Sequence, residues 1–201
     1  CSKRTPQEQA ARSPKSLTAF PTSSDSQKLP NPSRPPKSCM PIVAGVDTST
    51  QSCTVELRDA ESGAVLGVGR APHPPTTPPR SEQDPRAWWE AFSIALRAAA
   101  ASATVPVSAI DAISVAGQCH GLVLLDSSGA PLRAAKLWND TESTPQAQDM
   151  VAALGVAEWA RAVGSVPTAA FTITKLAWVA QHEPEILRRI AVVLLPHDYI
   201  T

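Results

Sequence analysis

Residues 41–72, PIVAGVDTSTQSCTVELRDAESGAVLGVGRAP, contain three apolar segments separated by two short turns. Residues 42–46 are apolar throughout, and residues 49–59 then alternate between polar and apolar side chains, as half-buried strands do. Ser62 and Gly63 form a turn signal before the third segment, residues 65–72. The stretch therefore predicts an antiparallel three-stranded meander with hairpin connections.

A helix and a further strand follow the meander. Asp84 is a suitable N-cap, Pro85 takes the first helical position, and Trp88 and Phe92 follow at the spacing of a helix with a core face. Residues 109–118 then predict a buried strand. This β-β-β-α-β order is typical of ribonuclease-H-like α/β domains, the fold of the actin-like ATPase superfamily, with a mixed sheet and flanking helices.

The rest of the chain predicts another hairpin and then mainly helices. The hairpin turn falls at Ser128 and Gly129. Helical periodicity and a final apolar run predict the following elements: helices at residues 144–154, 156–163, 173–181 and 182–190, and a strand entering a loop at 191–200.

Residues 1–39 differ in composition from everything that follows. They contain seven Pro and eight Ser with almost no apolar periodicity, so they cannot bury enough surface to offset the entropy of ordering. We expect a disordered basic arm. Met40 directly precedes the first predicted strand, and we expect it to be the natural start, with residues 1–39 upstream of it.

Charge, cysteine usage and hydropathy exclude several classes of protein. The net charge is zero, but residues 1–39 carry +5, so residues 40–201 carry −5, which argues against nucleic acid as a partner of the folded part. The four cysteines show no metal or disulfide spacing, and no apolar run approaches the ~20 residues of a membrane span. We expect a soluble cytoplasmic protein with reduced thiols.

Asp47 ends the first predicted strand and is followed by a polar turn, Thr48-Ser49-Thr50-Gln51. Backbone N–H and hydroxyl groups in such a turn can cradle phosphate oxygens, and a carboxylate can hold a hydrated Mg²⁺. An ordinary capped β-turn has the same composition, and taken alone this motif favours that simpler interpretation.

Gln118, Cys119 and His120 lie together at the end of another predicted strand. Adjacent Cys and His cannot both reach one metal ion from an extended chain, and a catalytic pair normally meets across the fold. Open α/β sheets bind ligands at strand ends, so Gln118 and His120 are candidate hydroxyl ligands. The alternative is a satisfied polar loop with a buried Cys119.

Two further segments could contribute to a site. Trp138, Asn139 and Asp140 combine an indole with amide and carboxylate groups, as carbohydrate pockets do, although a strand-to-helix cap with Trp138 in the core explains them equally well. Lys175 lies near the start of a helix, where a cation opposes the helix dipole. A solvated or ion-paired lysine is the default interpretation.

The motifs together resemble the FGGY family of carbohydrate kinases, in particular its bacterial xylulose kinases. The resemblance covers residues 42–201 and rests on these segments: GVDTSTQS (45–52), SEQDPRAWW (81–89), VAGQCHGLVLLD (115–126), LWND (137–140), FTITKLAWVAQHEPEI (171–186) and VLLPHDYIT (193–201). It implies that residues 40–201 form part of an N-terminal kinase domain. That domain would work with a second domain, which we expect to be absent from this chain.

The resemblance also implies an activity, ATP- and Mg²⁺-dependent phosphorylation of D-xylulose, and a homodimer is compatible with it. Ribulose, gluconate and glycerol are the alternative substrates within the family, and a non-catalytic sugar-binding product is the alternative outside catalysis. By resemblance, Asp47 supports activity near the phosphates and holds Mg²⁺ through water. The other implied site residues are Thr48, Ser49, Thr50 and Gln51 toward phosphate, and Gln118, Cys119, His120, Trp138, Asn139 and Asp140 toward sugar.

The chain departs from the family pattern at a few positions. Thr54 replaces a Lys or Arg, Glu142 replaces an Arg, and Ala170 replaces a polar or aromatic residue. The general base of the family is an Asp in a Gly-Gly-Asp-Asn-like string, and residues 1–201 contain no Gly-Gly pair. We therefore expect this polypeptide alone to be inactive.

Overall fold

A computed structural model describes residues 40–201, so the predictions for residues 1–39 lie outside the described residues. The eight strands are β1 (Ile42–Thr48), β2 (Ser52–Asp59), β3 (Val65–Pro72), β4 (Glu82–Gln83), β5 (Ile110–Gly117), β6 (Val123–Leu125), β7 (Ala135–Lys136) and β8 (Val192–Leu194). The six α-helices are α1 (Pro85–Ala103), α2 (Thr144–Leu154), α3 (Val156–Val163), α4 (Thr172–His182), α5 (Pro184–Leu187) and α6 (Pro196–Ile200).

The main sheet has four strands in the order β3-β2-β1-β5. β1 pairs antiparallel with β2, and β2 with β3, which confirms the predicted meander. β5 pairs parallel with β1, with Thr48 opposite Gly117. The carboxyl ends of β1 and β5 therefore meet at one edge of the sheet, and this places the polar residues that follow both strands side by side.

Helix α1 covers one face of the sheet, mainly over β3 and β2. Its start is as predicted, because the Asp84 carboxylate accepts a hydrogen bond from the Arg86 backbone N–H at 3.0 Å and Pro85 follows the cap. Trp88, Phe92 and four alanines form its buried face. A Cβ at Gly69 would lie 2.0 Å from the Ala95 carbonyl oxygen, so glycine lets the helix backbone approach β3 directly.

The prediction that residues 109–118 form a buried strand is wrong in its burial. The strand exists, but β5 is an edge strand among residues 40–201, and four of its eight residues in a row, 111–114, are exposed. The apolar residues of a strand do not reveal on their own whether both of its faces are covered. Here α1 packs mainly on β3 and β2, and the short helix α6 contacts β5.

The C-terminal half follows the predicted order. The predicted hairpin forms around Ser128 and Gly129, with antiparallel bridges between Leu122 and Lys136 and between Leu125 and Pro131. The short strands in its arms also pair elsewhere, β6 with β8 and β7 with β4. The chain after β8 forms α6, where a loop was predicted. Helices α2 and α3 have the predicted bounds. Within residues 40–201, no helix has the length and apolar character that a membrane crossing requires.

Candidate functional site

The edge where β1 and β5 end carries a cleft of about 360 Å³, which we call the β1–β5 cleft. It is lined by Asp47, Thr50, Gln118, Cys119, His120 and Trp138, together with backbone and small residues around them. The structure thus brings together residues from three separate sequence motifs. It does so because parallel pairing of β1 and β5 aligns the ends of the two strands.

His120 stands in this cleft in an unusual backbone conformation. Its φ is +57°, in the left-handed region that non-glycine residues seldom occupy. The imidazole stacks on the Phe171 ring, with centroids 4.6 Å apart and the planes inclined by 20°. Such strained conformations cluster at ligand sites, where surrounding contacts hold them. Phe171 is a site residue that sequence reasoning missed.

Trp138 belongs to the cleft and not to the core, since 48% of its surface is exposed. Its indole N–H donates to the Thr50 hydroxyl oxygen at 3.0 Å, and that hydroxyl donates to the Gln118 side-chain oxygen at 3.3 Å. These two bonds join the turn after β1, the end of β5 and the LWND segment. The ring is thereby fixed with one part open to a ligand.

A second cleft, of about 670 Å³, adjoins the first. It is lined by the turn at residues 49–51, the segment 73–76, Trp138 and Asn139, and we call it the proline cleft after Pro74 and Pro75. Ser49, Thr50 and Trp138 line both clefts. Asn139 lines the proline cleft and not the β1–β5 cleft, whereas the sequence predicted it in one pocket with His120.

Gln83 holds the two walls of the proline cleft together. Its side-chain N–H groups donate to the carbonyl oxygens of Thr50, at 2.9 Å, and Pro74, at 2.6 Å. Its side-chain oxygen accepts from the Trp88 indole at 2.7 Å. Gln83 is 2% exposed and fully hydrogen-bonded, so the cleft is preformed. The sequence singled out the motif around Gln83 but no role for the residue.

Asp140 lies behind the clefts and lines neither of them. Its carboxylate is 3.2 Å from the Lys136 ammonium and accepts from the Ser81 backbone N–H at 2.9 Å. Both Asp140 and Lys136 are 0% exposed. Lys136 also pairs with Glu82, at 3.1 Å, and with Glu142. Asp140 therefore supports the segment that carries Trp138 and Asn139 and does not face a ligand.

The same cluster explains Glu142, a departure from the family pattern. Its carboxylate pairs with the buried Lys136, so the negative charge is compensated inside the protein. The carboxylates of Glu82, Asp140 and Glu142 lie close enough together for a metal site, but the Lys136 ammonium contacts all three. A lysine in that position supplies the positive charge that a metal would bring.

Lys175 is buried, contrary to the solvated default. Its ammonium donates to the carbonyl oxygen of Asp140 at 3.2 Å and to that of Ala169, and so ties together two segments beside the clefts. Burial lowers the pKa of Lys175 to about 8, although the charge of Asp140 opposes this shift. In the folded protein the lysine therefore loses its proton near pH 8, whereas a free lysine keeps it up to about pH 10.5.

We expect Lys175→Met to reveal this shift in the pH dependence of stability. The unfolded chain holds the Lys175 proton up to about pH 10.5, and the folded protein up to about pH 8. Between these values the unfolded state binds more protons, so the stability of the wild type relative to Lys175→Met rises with pH. Urea unfolding of both proteins at pH 7.5 and pH 10 measures the difference. A stability difference between the two proteins that does not change with pH would contradict the lowered pKa of Lys175.

The residues predicted to face phosphate differ in their exposure and in their hydrogen bonds. Thr48 is 3% exposed in β1 and lines neither cleft, and the Ser49 hydroxyl donates to the Ser52 carbonyl at 3.1 Å. Thr50 is bonded to Trp138 and Gln118, and Gln51 is exposed. Among residues 40–201 no ion pair involves the exposed Asp47, and its neighbour directly across the ladder, Thr54, is uncharged.

The sequence pattern of the N-terminal domain of the FGGY family of carbohydrate kinases matches residues 42–201. The chain belongs to the FGGY family of carbohydrate kinases. This FGGY-family chain is 49% identical over 162 residues to a xylulose kinase of Streptomyces coelicolor, covering 80% of this chain and 33% of that protein. It is 45% identical over 104 residues to a xylulose kinase of Arthrobacter, covering 52% of this chain and 99% of that sequence.

Solved structures agree with the family assignment. The crystal structure of xylulose kinase from Bifidobacterium adolescentis superposes with a TM-score of 0.75 at 42% identity, covering 81% of this FGGY-family chain and 34% of that chain. The predicted fold class, a ribonuclease-H-like domain of the actin-like superfamily, is thereby confirmed. The chain spans about a third of the length of the Streptomyces coelicolor relative.

Proposed function

We propose that this chain provides the sugar-binding side of an ATP-dependent kinase that phosphorylates D-xylulose. The observation that carries the proposal is the β1–β5 cleft, where Gln118, Cys119 and His120 share one surface with Asp47 and Trp138. The similarity to xylulose kinases of Streptomyces coelicolor and Bifidobacterium adolescentis supports the choice of sugar.

Each group in the cleft has a role that suits a sugar hydroxyl or a phosphate. The imidazole of His120 and the amide of Gln118 hydrogen-bond hydroxyls, and the exposed part of the Trp138 ring packs against C–H groups of the sugar. The exposed carboxylate of Asp47, which has no ion pair within residues 40–201, fits a hydrated Mg²⁺, which prefers oxygen ligands and keeps several waters. Mg²⁺ bound with ATP would neutralise charge on the transferred phosphoryl group.

We expect the 201-residue polypeptide to show no ADP release above background when D-xylulose, ATP and Mg²⁺ are all present. Phosphoryl transfer needs a group that takes the proton from the attacking hydroxyl, and the string that supplies it in the family does not occur in residues 1–201. A coupled ADP assay makes the measurement, with omission of D-xylulose as control. Sugar-dependent ADP release would contradict the expectation.

Binding can be tested without turnover through Cys119. This thiol is exposed and lines the β1–β5 cleft, whereas Cys53 is buried and burial raises its pKa to about 11. We expect iodoacetamide at pH 7.5 to alkylate Cys119 in the native protein and leave Cys53 unmodified. Saturating D-xylulose should slow alkylation of Cys119 severalfold, as peptide-resolved mass spectrometry would show.

The matched control for Cys119 lies within the same chain. Cys1 and Cys39 belong to the segment outside residues 40–201, so their alkylation rates report any general effect of the sugar on the reagent. Equal rates at Cys119 with and without D-xylulose would count against a sugar in this cleft. A specific slowing by glycerol or gluconate alone would favour another polyol as substrate.

A non-catalytic sugar-binding product is the second candidate, and Thr54 favours it. Thr54 pairs with Asp47 across β1 and β2 and lines a surface groove with Asp47 and Glu56, where the family has a cation. A phosphate near Asp47 would therefore lack one source of positive charge. Glu142 does not add to this argument, since Lys136 compensates its charge.

A further inference from the structure

Two buried acceptor atoms without hydrogen-bond partners lie on residues of the proline cleft. Among residues 40–201, His73 Nε2 and Asn139 Oδ1 are buried and make no hydrogen bond, and both residues line this cleft. A buried polar atom that makes no hydrogen bond costs about 1–3 kcal/mol. Buried polar groups are nearly always satisfied, so two on residues that line the same cleft point to a ligand that completes them.

The hydrogen bonds of His73 fix which of its nitrogens can accept. Nδ1 lies 2.8 Å from the Ser49 carbonyl oxygen, which can only accept, so Nδ1 carries the proton. His73 is 6% exposed, and this burial lowers the pKa of its imidazole, which favours the neutral ring. Nε2 is then a hydrogen-bond acceptor held in place by the Ser49 contact. The ligand must therefore bring a donor.

The lining of the proline cleft limits the ligand to an uncharged one. None of its described lining residues is Asp, Glu, Lys or Arg. A phosphate would meet two acceptors and no cation, whereas a hydroxyl can donate to either acceptor. Trp138 lines this cleft and the β1–β5 cleft, so a hydroxylated chain lying over its ring reaches both. The cleft walls are preformed by the bonds of Gln83.

We propose that the proline cleft is a second hydroxyl-binding subsite, in which His73 Nε2 and Asn139 Oδ1 accept hydrogen bonds from a polyol bound across Trp138. The proposal rests on the proposed function, because the polyol is the sugar that His120 binds from the other side. It makes His73 and Asn139 specificity-determining residues, since they select ligands with a donor at that end. Neither residue is assigned a part in phosphoryl transfer.

Variants that remove or keep the acceptors test the proposal in the 201-residue chain. His73→Phe keeps a ring without an acceptor, His73→Gln keeps a side-chain oxygen, and Asn139→Leu removes the amide. Calorimetric titration with D-xylulose should show an affinity loss of about fivefold to tenfold for His73→Phe and for Asn139→Leu. His73→Gln should recover part of the affinity. Thermal unfolding of each variant checks that the chain still folds.

His120→Ala separates this proposal from the proposed function. Weaker D-xylulose binding in His120→Ala, with unchanged binding in His73→Phe and Asn139→Leu, would overturn the subsite and leave the proposed function standing. Weaker binding in those two variants but not in His120→Ala would support the subsite and contradict the sugar site at His120. If the wild type binds neither D-xylulose nor glycerol at millimolar concentration, both proposals are overturned.

Discussion

Replacing Asp140 with leucine is expected to lower the free energy of unfolding by about 1–3 kcal/mol. The substitution leaves the buried Ser81 backbone N–H without an acceptor and removes the one fully buried carboxylate among the three that pair with Lys136. A buried donor that loses its acceptor is costly because water cannot replace the lost hydrogen bond. Urea unfolding monitored by tryptophan fluorescence measures the change.

Two further variants test the contribution of the ion pairs with Lys136. Glu142→Gln removes a partner of Lys136 that is partly exposed, so its effect should be smaller. Lys136→Met leaves three neighbouring carboxylates without their shared cation, so we expect it to be less stable than Asp140→Leu. If Asp140→Leu unfolds like the wild type but loses sugar binding, Asp140 is a ligand contact and its assignment to the supporting cluster is wrong.

Gly69→Ala is expected to destabilise the fold by about 1–3 kcal/mol or more. The added Cβ would meet the Ala95 carbonyl oxygen at 2.0 Å and the Ala99 backbone nitrogen at 2.5 Å, both in α1. These are backbone atoms, so the helix itself must move away from β3. At about 2–4 °C per kcal/mol for a chain of this size, the melting temperature should fall by several degrees.

Gly45→Ala is the matched control for this prediction. Gly45 also lies in the main sheet, in β1, but a Cβ there would meet no atom within 4 Å. Replacing it should leave the melting temperature unchanged or raise it slightly, because alanine restricts the unfolded chain more than glycine does. Equal melting temperatures for Gly69→Ala and Gly45→Ala would contradict the close packing of α1 on β3.

Local signals in the sequence predicted most of the architecture. The meander follows from alternating side chains and the Ser62-Gly63 turn, and the start of α1 follows from Asp84 and Pro85. Burial of β5 could not be predicted, because it depends on what packs over the strand and not on its own apolar residues. Likewise, the partner of β6 is β8, about 70 residues further on, and no local pattern encodes that pairing.

The candidate site was predictable only where strand ends carry its residues. Asp47 lies near the end of β1, and Gln118 and His120 follow β5, so the topology alone brings them together. Phe171 and Gln83 act through contacts with residues far away in the chain, which periodicity does not reveal. Two side chains with the polarity of ligand contacts, Asp140 and Lys175, are buried supports, because each finds partners inside the protein.

The central claim is that D-xylulose binds in the β1–β5 cleft at His120. Calorimetric titration of the 201-residue chain and of its His120→Ala variant with D-xylulose tests it most directly. We predict saturable binding by the wild type and an affinity lower by about tenfold in the variant, the loss expected for one good hydrogen bond. Binding that His120→Ala leaves unchanged, or no binding by the folded wild-type chain, would contradict the claim.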